Sequence, residues 1–341
     1  MSRQVQTVIQ QSDIAVNVNE VTKSFEQWQR TGQGKNIVKN ILNPQKKVIK
    51  ALDNISFQVN KGEFVAYAGP NGAGKSTTMK LLCGMLLPGN GDIEVLGLSP
   101  QKHRIALMQR IGVLFGNRTE LWWDHPIISS FEWKRVVWNI PKDEFIKTRD
   151  MVVELLDIGP ILNTFARELS LGQRMRADLA MMLLHNPELI LLDEPTLGLD
   201  VLAKRQMISF LKQLNREKET TIIVTSHDMD DLEEMAERML LISNGKLSFD
   251  GSFEQLRKAT GSLCRVLITM EGNEIPKLNC GKLLSKNDCI YEFEVDTIKT
   301  PIRAVLSEIS TLDGVIDIEI KKAPIEQIIA ELYSQWKCKV N

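Results

Sequence analysis

The chain has 341 residues, with 42 Lys and Arg against 43 Asp and Glu and a net charge of −1. That length leaves room for one large domain and a smaller one, and the charge balance excludes the strongly basic field of a dedicated nucleic-acid binder. Five scattered cysteines (Cys83, Cys264, Cys280, Cys289, Cys338) form no Cys-x-x-Cys pair or zinc spacing, no apolar run approaches the roughly 18 residues of a membrane span, and Met1–Asp13 lacks a signal-peptide core; together these point to an intracellular chain that is not itself a channel.

Residues 14–25 alternate apolar and polar and read as a strand. Phe25, at its end, fits two roles: a ring that stacks on adenine, or an aromatic at the edge of a core. Residues 26–50 interrupt the pattern. Trp28, two glycines and Lys35, Lys39, Lys46, Lys47 and Lys50 sit among weak helical spacing (Ile37, Val38, Ile41, Leu42), which suits a solvated surface insertion or a basic arm facing lipid headgroups or a membrane partner. Ile55–Val59 alternates again, and the Asn60-Lys61-Gly62 turn leads into the apolar run Phe64–Ala68, a hairpin signal.

Gly69-Pro70-Asn71-Gly72-Ala73-Gly74-Lys75-Ser76-Thr77 fits the phosphate-binding loop G-x-x-x-x-G-K-[ST]. The glycines let the backbone curl and aim its N–H groups at phosphate oxygens, at the start of a helix expected over Ser76–Leu87, where the helix dipole also favours anions. Lys75 is placed to reach the β- and γ-phosphates of a nucleotide, and the Ser76 hydroxyl to ligate Mg²⁺.

Strands follow at Gly91–Gly97 and Ile111–Phe115, and residues 118–168 turn helical. Trp122, Trp123, Trp133 and Trp138 all lie in this stretch, either as a groove for a partner's helix or as anchors of the local core. Leu169-Ser170-Leu171-Gly172-Gln173 precedes a helical run from Arg174 to Leu184, with Ser170 as an N-cap and Gly172 permitting close backbone approach. Leu189–Leu192 is a continuous apolar run that reads as a buried parallel strand, and it ends in Asp193-Glu194. Ligands bind at such strand ends in open α/β sheets, so Asp193 is the Mg²⁺ partner and Glu194 the base for an attacking water. Thr221–Ser226 is a similar strand, and His227 at its end, matching the place of Asp193, is a candidate γ-phosphate contact. A helix (Asp228–Arg238), a strand (Met239–Ile242), an Asn244-Gly245 turn, a short strand to Asp250 and a capping box at Ser252–Gln255 complete this part. From about residue 260 the pattern resets into a small α+β appendage with strands at 263–270, 290–295 and 315–320, a helix opened by Thr300-Pro301, and a last helix with Ile325, Ile328, Ile329, Leu332 and Trp336 on one face.

The phosphate loop, Leu169–Gln173, Asp193-Glu194 and His227, in that order, closely resemble the ATP-binding subunit of an ABC transporter over residues 14–255. The resemblance implies an α/β fold of the P-loop NTPase, ABC ATPase type, with a RecA-like core, an antiparallel β-subdomain and a helical subdomain (118–168) within 1–258, and an accessory α+β domain at 259–341. It makes Leu169–Gln173 the signature element, with Leu171 where the family has Gly, and Leu197–Asp200 the D-loop. It implies Mg²⁺-ATP clamped between two cassettes set head to tail, with Ser170, Gly172, Gln173 and Asp200 adding to the nucleotide site. Asn117 stands near the usual place of a Gln that senses Mg²⁺ and couples to the permease. The implied partners are a second ATPase chain and integral-membrane permease chains, most like ABC-2-type exporters, polysaccharide exporters among them, with this chain peripheral on the cytoplasmic face of the membrane. A soluble ABC-type ATPase acting on ribosomes or nucleic acid is the alternative; such proteins carry tandem cassettes, and this chain has one.

Overall fold

The computed structural model describes residues 13–28, 46–115, 119–259, 263–272, 275–297, 299–322, 324–325 and 328–329. The chain divides into two compact units, Met1–Asp250 and Gly251–Asn341.

The first unit opens with β1 (Ile14–Trp28) and β2 (Lys46–Asn60), which pair antiparallel, and β4 (Asn90–Val95) joins the free side of β1. Alternation sorts the faces: Val16, Val18, Ile55, Phe57 and Val59 are buried, while Ser56 and Gln58 point to solvent. The strands run past the body of this sheet to the pairs Phe25↔Ile49, Glu26↔Val48 and Trp28↔Lys46. The described ends of the 26–50 interruption are therefore strand rather than helix; Ile37, Val38, Ile41 and Leu42 lie outside the described residues.

The hairpin expected from β2 to β3 (Phe64–Ala68) does not form. β3 lies in a six-stranded sheet of order β5-β6-β7-β3-β8-β9, parallel to β7 (Thr221–Thr225) and β8 (Arg238–Ser243). All five β3 residues are buried, as a central parallel strand covered on both faces requires; β2 already has its partner in β1. The Asn60–Gly62 turn thus switches the chain between sheets. β5 (Ile111–Phe115) and β6 (Leu189–Asp193) complete the parallel set, with Phe115↔Asp193 and Asp193↔Thr225 in register. Asn244 and Gly245, both at positive φ, make the turn from β8 to β9 (Lys246–Ser252), the backbone that a tight hairpin demands.

One core lies between the antiparallel sheet and the parallel one, where Val16, Val21, Leu52 and Ile55 meet Val65, Tyr67, Ile223 and Leu240 around α1 (Lys75–Leu82). That helix ends five residues earlier than the sequence pattern implies. Gly84 takes φ 71, Gly84 N–H reaches Leu81 O (3.1 Å) and Met85 N–H reaches Lys80 O (2.8 Å), a Schellman stop. After α2 (Arg104–Met108), the helical region comprises α3 (Ile127–Val137) and α4 (Lys142–Leu155) around buried Ile127, Phe131, Phe145 and Val152. Its tryptophans are not that core. Trp122, Trp123 and Trp133 are all more than a third exposed, and Trp122, Trp133, Trp138 and His185 form a chain of tilted and T-shaped ring contacts with centroids 5.6, 6.4 and 6.1 Å apart. Next come α5 (Leu171–Leu183), α6 (Val201–Lys218) and α7 (Met229–Met235).

The second unit contains α8 (Phe253–Ala259), opened by the expected Ser252/Gln255 capping box with bonds of 2.8 and 3.1 Å. Its antiparallel sheet has the order β11-β12-β10-β13: β10 (Leu263–Met270), β11 (Lys282–Asn287), β12 (Ile290–Asp296) and β13 (Val315–Lys322), with α9 (Ile302–Ile309) between the last two. Val266, Ile268, Tyr291, Phe293, Val305 and Ile309 form its own core. β11 is absent from the sequence reading because a register shift between Leu283 and Ser285 breaks its alternation. Leu332 and Trp336 lie outside the described residues.

Candidate active site

The phosphate loop, Asp193-Glu194 and His227 follow directly on the C-terminal ends of β3, β6 and β7, whereas Leu169–Gln173 lies apart at the start of α5. Gly69, Gly72 and Gly74 adopt φ of 154, 77 and 116°. At Gly74, the residue that starts α1, a Cβ would press on Leu52 Cδ2 at 2.6 Å and on Ala51 O at 2.7 Å, so only glycine lets β2 cross this close. Lys75 lies across the loop; its side chain is buried and its ammonium donates to Gly69 O (2.7 Å) and Pro70 O (3.3 Å). Burial pulls this ammonium below the ordinary lysine range, while Glu194 and Asp193 oppose the shift. Two carboxylates and one cation thus share the mouth of the loop.

Asp193 and Glu194 are fixed by Thr225, the register partner of Asp193. The Thr225 hydroxyl donates to Asp193 Oδ1 (2.7 Å), and Glu194 N–H reaches both the Thr225 hydroxyl and its carbonyl, each at 3.1 Å. Glu194 takes φ 60, left-handed for a residue with a Cβ. Strain of this kind persists only where surrounding bonds over-determine it. The turn brings Glu194 Oε1 to 2.5 Å from His227 Nε2. Thr225 is a site residue that the sequence reading missed.

Ser170 N-caps α5 in a capping box: Gln173 N–H reaches Ser170 Oγ (3.2 Å) and Gln173 Oε1 accepts from Ser170 N–H (3.0 Å). The Gln173 side chain is thereby used within its own chain, and the helix starts at Leu171 rather than Arg174. At Gly172 a Cβ would meet nothing closer than Ala203 Cβ at 3.6 Å, so packing within the chain does not demand glycine there. Leu171 is 44% exposed and lies against Gly198, where a Cβ would be 2.9 Å from Leu171 Cδ2. Asp200 N-caps α6, accepting from Ala203 N–H at 2.8 Å. Phe25 is 38% exposed, with the Lys23 ammonium 5.3 Å from its ring centre and hydrogen-bonded to Leu87 O at 2.7 Å. Asn117 lies outside the described residues. A cavity of about 1380 Å³ opens around Lys61, Glu188, Lys212 and Glu234, and none of the motif residues lines it.

The ABC transporter family profile matches residues 52–197. Over 218 residues the chain is 31% identical to the ABC transporter ATP-binding protein NatA of Bacillus subtilis, covering 64% of this chain and 88% of NatA. The chain belongs to the ABC transporter family. The cassette is also 33% identical to the glucose import ATP-binding protein GlcV of Saccharolobus solfataricus, over 70% of this chain and 69% of that one. Its fold is shared by the ATP-binding cassette MJ0796, a dimer bound to ADP and Pi, at TM-score 0.57 and 24% identity over 70% of this chain and 98% of that one. The protein is an ATPase subunit that binds ATP and powers a transporter.

Magnesium fits the donor set. Among the described residues no cluster of three His, Cys, Asp or Glu could hold a metal alone. A Ser76 hydroxyl and an Asp193 carboxylate are hard oxygen donors, and Mg²⁺ is commonly held by one or two carboxylates together with substrate phosphates.

Proposed function

We propose that two cassettes close head to tail on ATP. Each nucleotide is held by the phosphate loop of one chain and by Ser170 and Gly172 of the other. Gly69–Thr77 wraps the phosphates with backbone N–H groups, and Lys75 turns from its own loop carbonyls to the β- and γ-oxygens. Ser76 and Asp193 hold Mg²⁺, which when bound offsets charge on the β- and γ-phosphates. Glu194 orients the attacking water and takes its proton, and His227 contacts the γ-phosphate and holds Glu194 in place. Phe25 carries the adenine on the ring face opposite Lys23. The observation that carries this reading is the Glu194–His227 contact at the mouth of a lysine-bearing phosphate loop.

In this reading the ATP-binding domain ends near residue 258, and the unit that follows supports packing and dimer formation. The cassette lies on the cytoplasmic face of the membrane; among the described residues no helix is long and apolar enough to cross it. A cavity of about 220 Å³ lined by Met85, Met108, Phe115, Glu120, Asp178 and Met182, together with the exposed tryptophans, is the seat for a permease chain. The Leu-Ser-Leu-Gly-Gln signature favours an ABC-2-type permease and export.

The test compares ATP turnover in wild type, Lys75→Ala and Glu194→Gln. Lys75→Ala is expected to weaken ATP binding. Glu194→Gln is expected to bind ATP, accumulate as the closed dimer and lose turnover by about 10²–10⁴-fold, the range for a lost general base. Wild-type turnover in Glu194→Gln rejects the base assignment. Capture from native membranes in mild detergent is expected to bring down a multi-spanning chain in near-equal amount. Ribosomal partners in its place reject the transporter reading.

A further inference from the structure

We propose that Lys204 is a positioning residue for His227: its ammonium fixes the loop that presents the imidazole to Glu194. The proposal rests on the reading of His227 given above.

Lys204 sits one turn into α6, behind the Asp200 cap. Its Nζ lies 2.7 Å from Asp228 Oδ2 and 3.0 Å from Asp231 Oδ2. Asp228 is the residue after His227. It N-caps α7 by accepting from Asp231 N–H through Oδ1 (3.2 Å), and its own N–H donates to Ser226 Oγ (3.0 Å). Asp231 has a side chain only 8% exposed, and its Oδ2 also accepts the Thr196 hydroxyl at 3.0 Å. Thr196 stands two residues after Glu194. The ammonium therefore joins the start of α6 to the His227 loop, and Asp231 extends the link to Thr196 in the turn after Glu194.

The electrostatics make the cation necessary. Asp228 and Asp231 both direct Oδ2 to the same point, and like charges this close repel unless a cation stands between them. Asp231 is the buried member, with Lys204 and Asp228 partly exposed beside it, so removing the ammonium leaves the Asp231 carboxylate buried without its cation. The side chain of His227 is 42% exposed, so packing does little to hold it. Its place depends on the loop backbone, which Asp228 anchors on both sides. A shift of about 1 Å in a catalytic group costs up to about 10²-fold in rate.

The experiment measures ATP turnover, ATP affinity and melting temperature for Lys204→Met, Lys204→Arg, Asp228→Asn and His227→Ala. Lys204→Met keeps the aliphatic stem and removes the charge. It is expected to lower kcat by 10- to 100-fold with the Kd for ATP within about twofold of wild type. Lys204→Arg keeps a donor for both carboxylates and is expected to regain most of the rate. Asp228→Asn preserves an N-cap and cuts only the ion pair beside His227, so it reports on positioning even where Lys204→Met fails to fold; its kcat is expected to fall in the same way. The double variant Lys204→Met/His227→Ala is expected to be no slower than His227→Ala, because a group that acts through His227 has nothing further to lose. If His227→Ala turns over like wild type, the reading of His227 fails and this proposal fails with it. If His227→Ala is slow while Lys204→Met and Asp228→Asn keep wild-type kcat, or if the double variant is slower by the product of the two effects, the positioning role alone is overturned.

Discussion

Thr225 shows how one hydroxyl can set two carboxylates. It is fully buried, donates to Asp193 and accepts from the N–H of Glu194. Thr225→Val keeps the shape and removes both bonds. We expect a stability loss of about 1–2 kcal/mol, the cost of a buried hydrogen bond left unmade, and a roughly tenfold fall in kcat as Asp193 loses its orientation. Thr225→Ser should restore the rate; urea melts and steady-state turnover check both. The phosphate loop, Asp193, Glu194 and His227 were legible in the sequence because each is a local pattern of a few residues at the end of an apolar run. Thr225 was not, because its role exists only once β6 and β7 are in register, which brings it beside a residue 32 positions earlier. Lys204 was hidden for the same reason, since its carboxylates lie on a separate helix. Gln173 was legible as a site residue, but its side chain closes the cap of its own helix; the pattern that marks the motif also satisfies helix chemistry.

At the scale of the element, α5 and the turn that follows it carry two titratable groups, Asp178 buried and His185 half-buried, whose pH effects oppose each other. Asp178, within the helix, is pushed up to about 6 by burial, against bonds from Thr119 and Glu120. His185, just beyond the helix, is pushed down to about 4 by burial and by Lys134, and its Nε2 pairs with Ile111 O at 2.9 Å. The folded state holds the Asp178 proton more tightly than the unfolded state does, so acidification from pH 6 towards 4 adds stability. The folded state holds the His185 proton less tightly, so acidification from 6.5 towards 4 removes stability. Each shift amounts to about 3 kcal/mol at most, and in wild type the two nearly cancel. Asp178→Asn should expose the histidine, with stability falling as pH drops from 6.5 to 4, and His185→Gln should expose the aspartate, with the opposite slope. Urea midpoints across this range read both, and parallel wild-type and variant curves would refute the assignment. A second expectation concerns the end of α1: Gly84→Ala places a Cβ 2.5 Å from Pro100 O at φ 71, and should cost more than about 1 kcal/mol in thermal stability. The sequence located the elements well where burial was near-uniform, as in β3, β6 and β7. It failed where tertiary partners decide, as in the β2–β3 connection, which looks local but joins two sheets.

At the scale of the molecule, each unit has a core of its own among the described residues, one around Val65, Leu82 and Ile223 and the other around Val266, Ile268 and Phe293. A core of its own is what lets a unit unfold on its own. We therefore expect calorimetry of the full chain to show two transitions, with nucleotide acting on one. Nucleotide at about 100 times its Kd stabilises the form that binds it by about 2.7 kcal/mol. For a unit of roughly 200–250 residues that raises its transition by about 5–10 °C, and Lys75→Ala should abolish the rise. Ile268→Val, at a fully buried position in the second core, should cost about 0.5–1.5 kcal/mol. In the smaller unit that lowers the other transition by roughly 2–12 °C and leaves the nucleotide-sensitive one in place. If nucleotide and Ile268→Val both move a single common transition, the two cores unfold as one body, and the division into an ATP-binding domain and an accessory domain does not describe how the chain is stabilised.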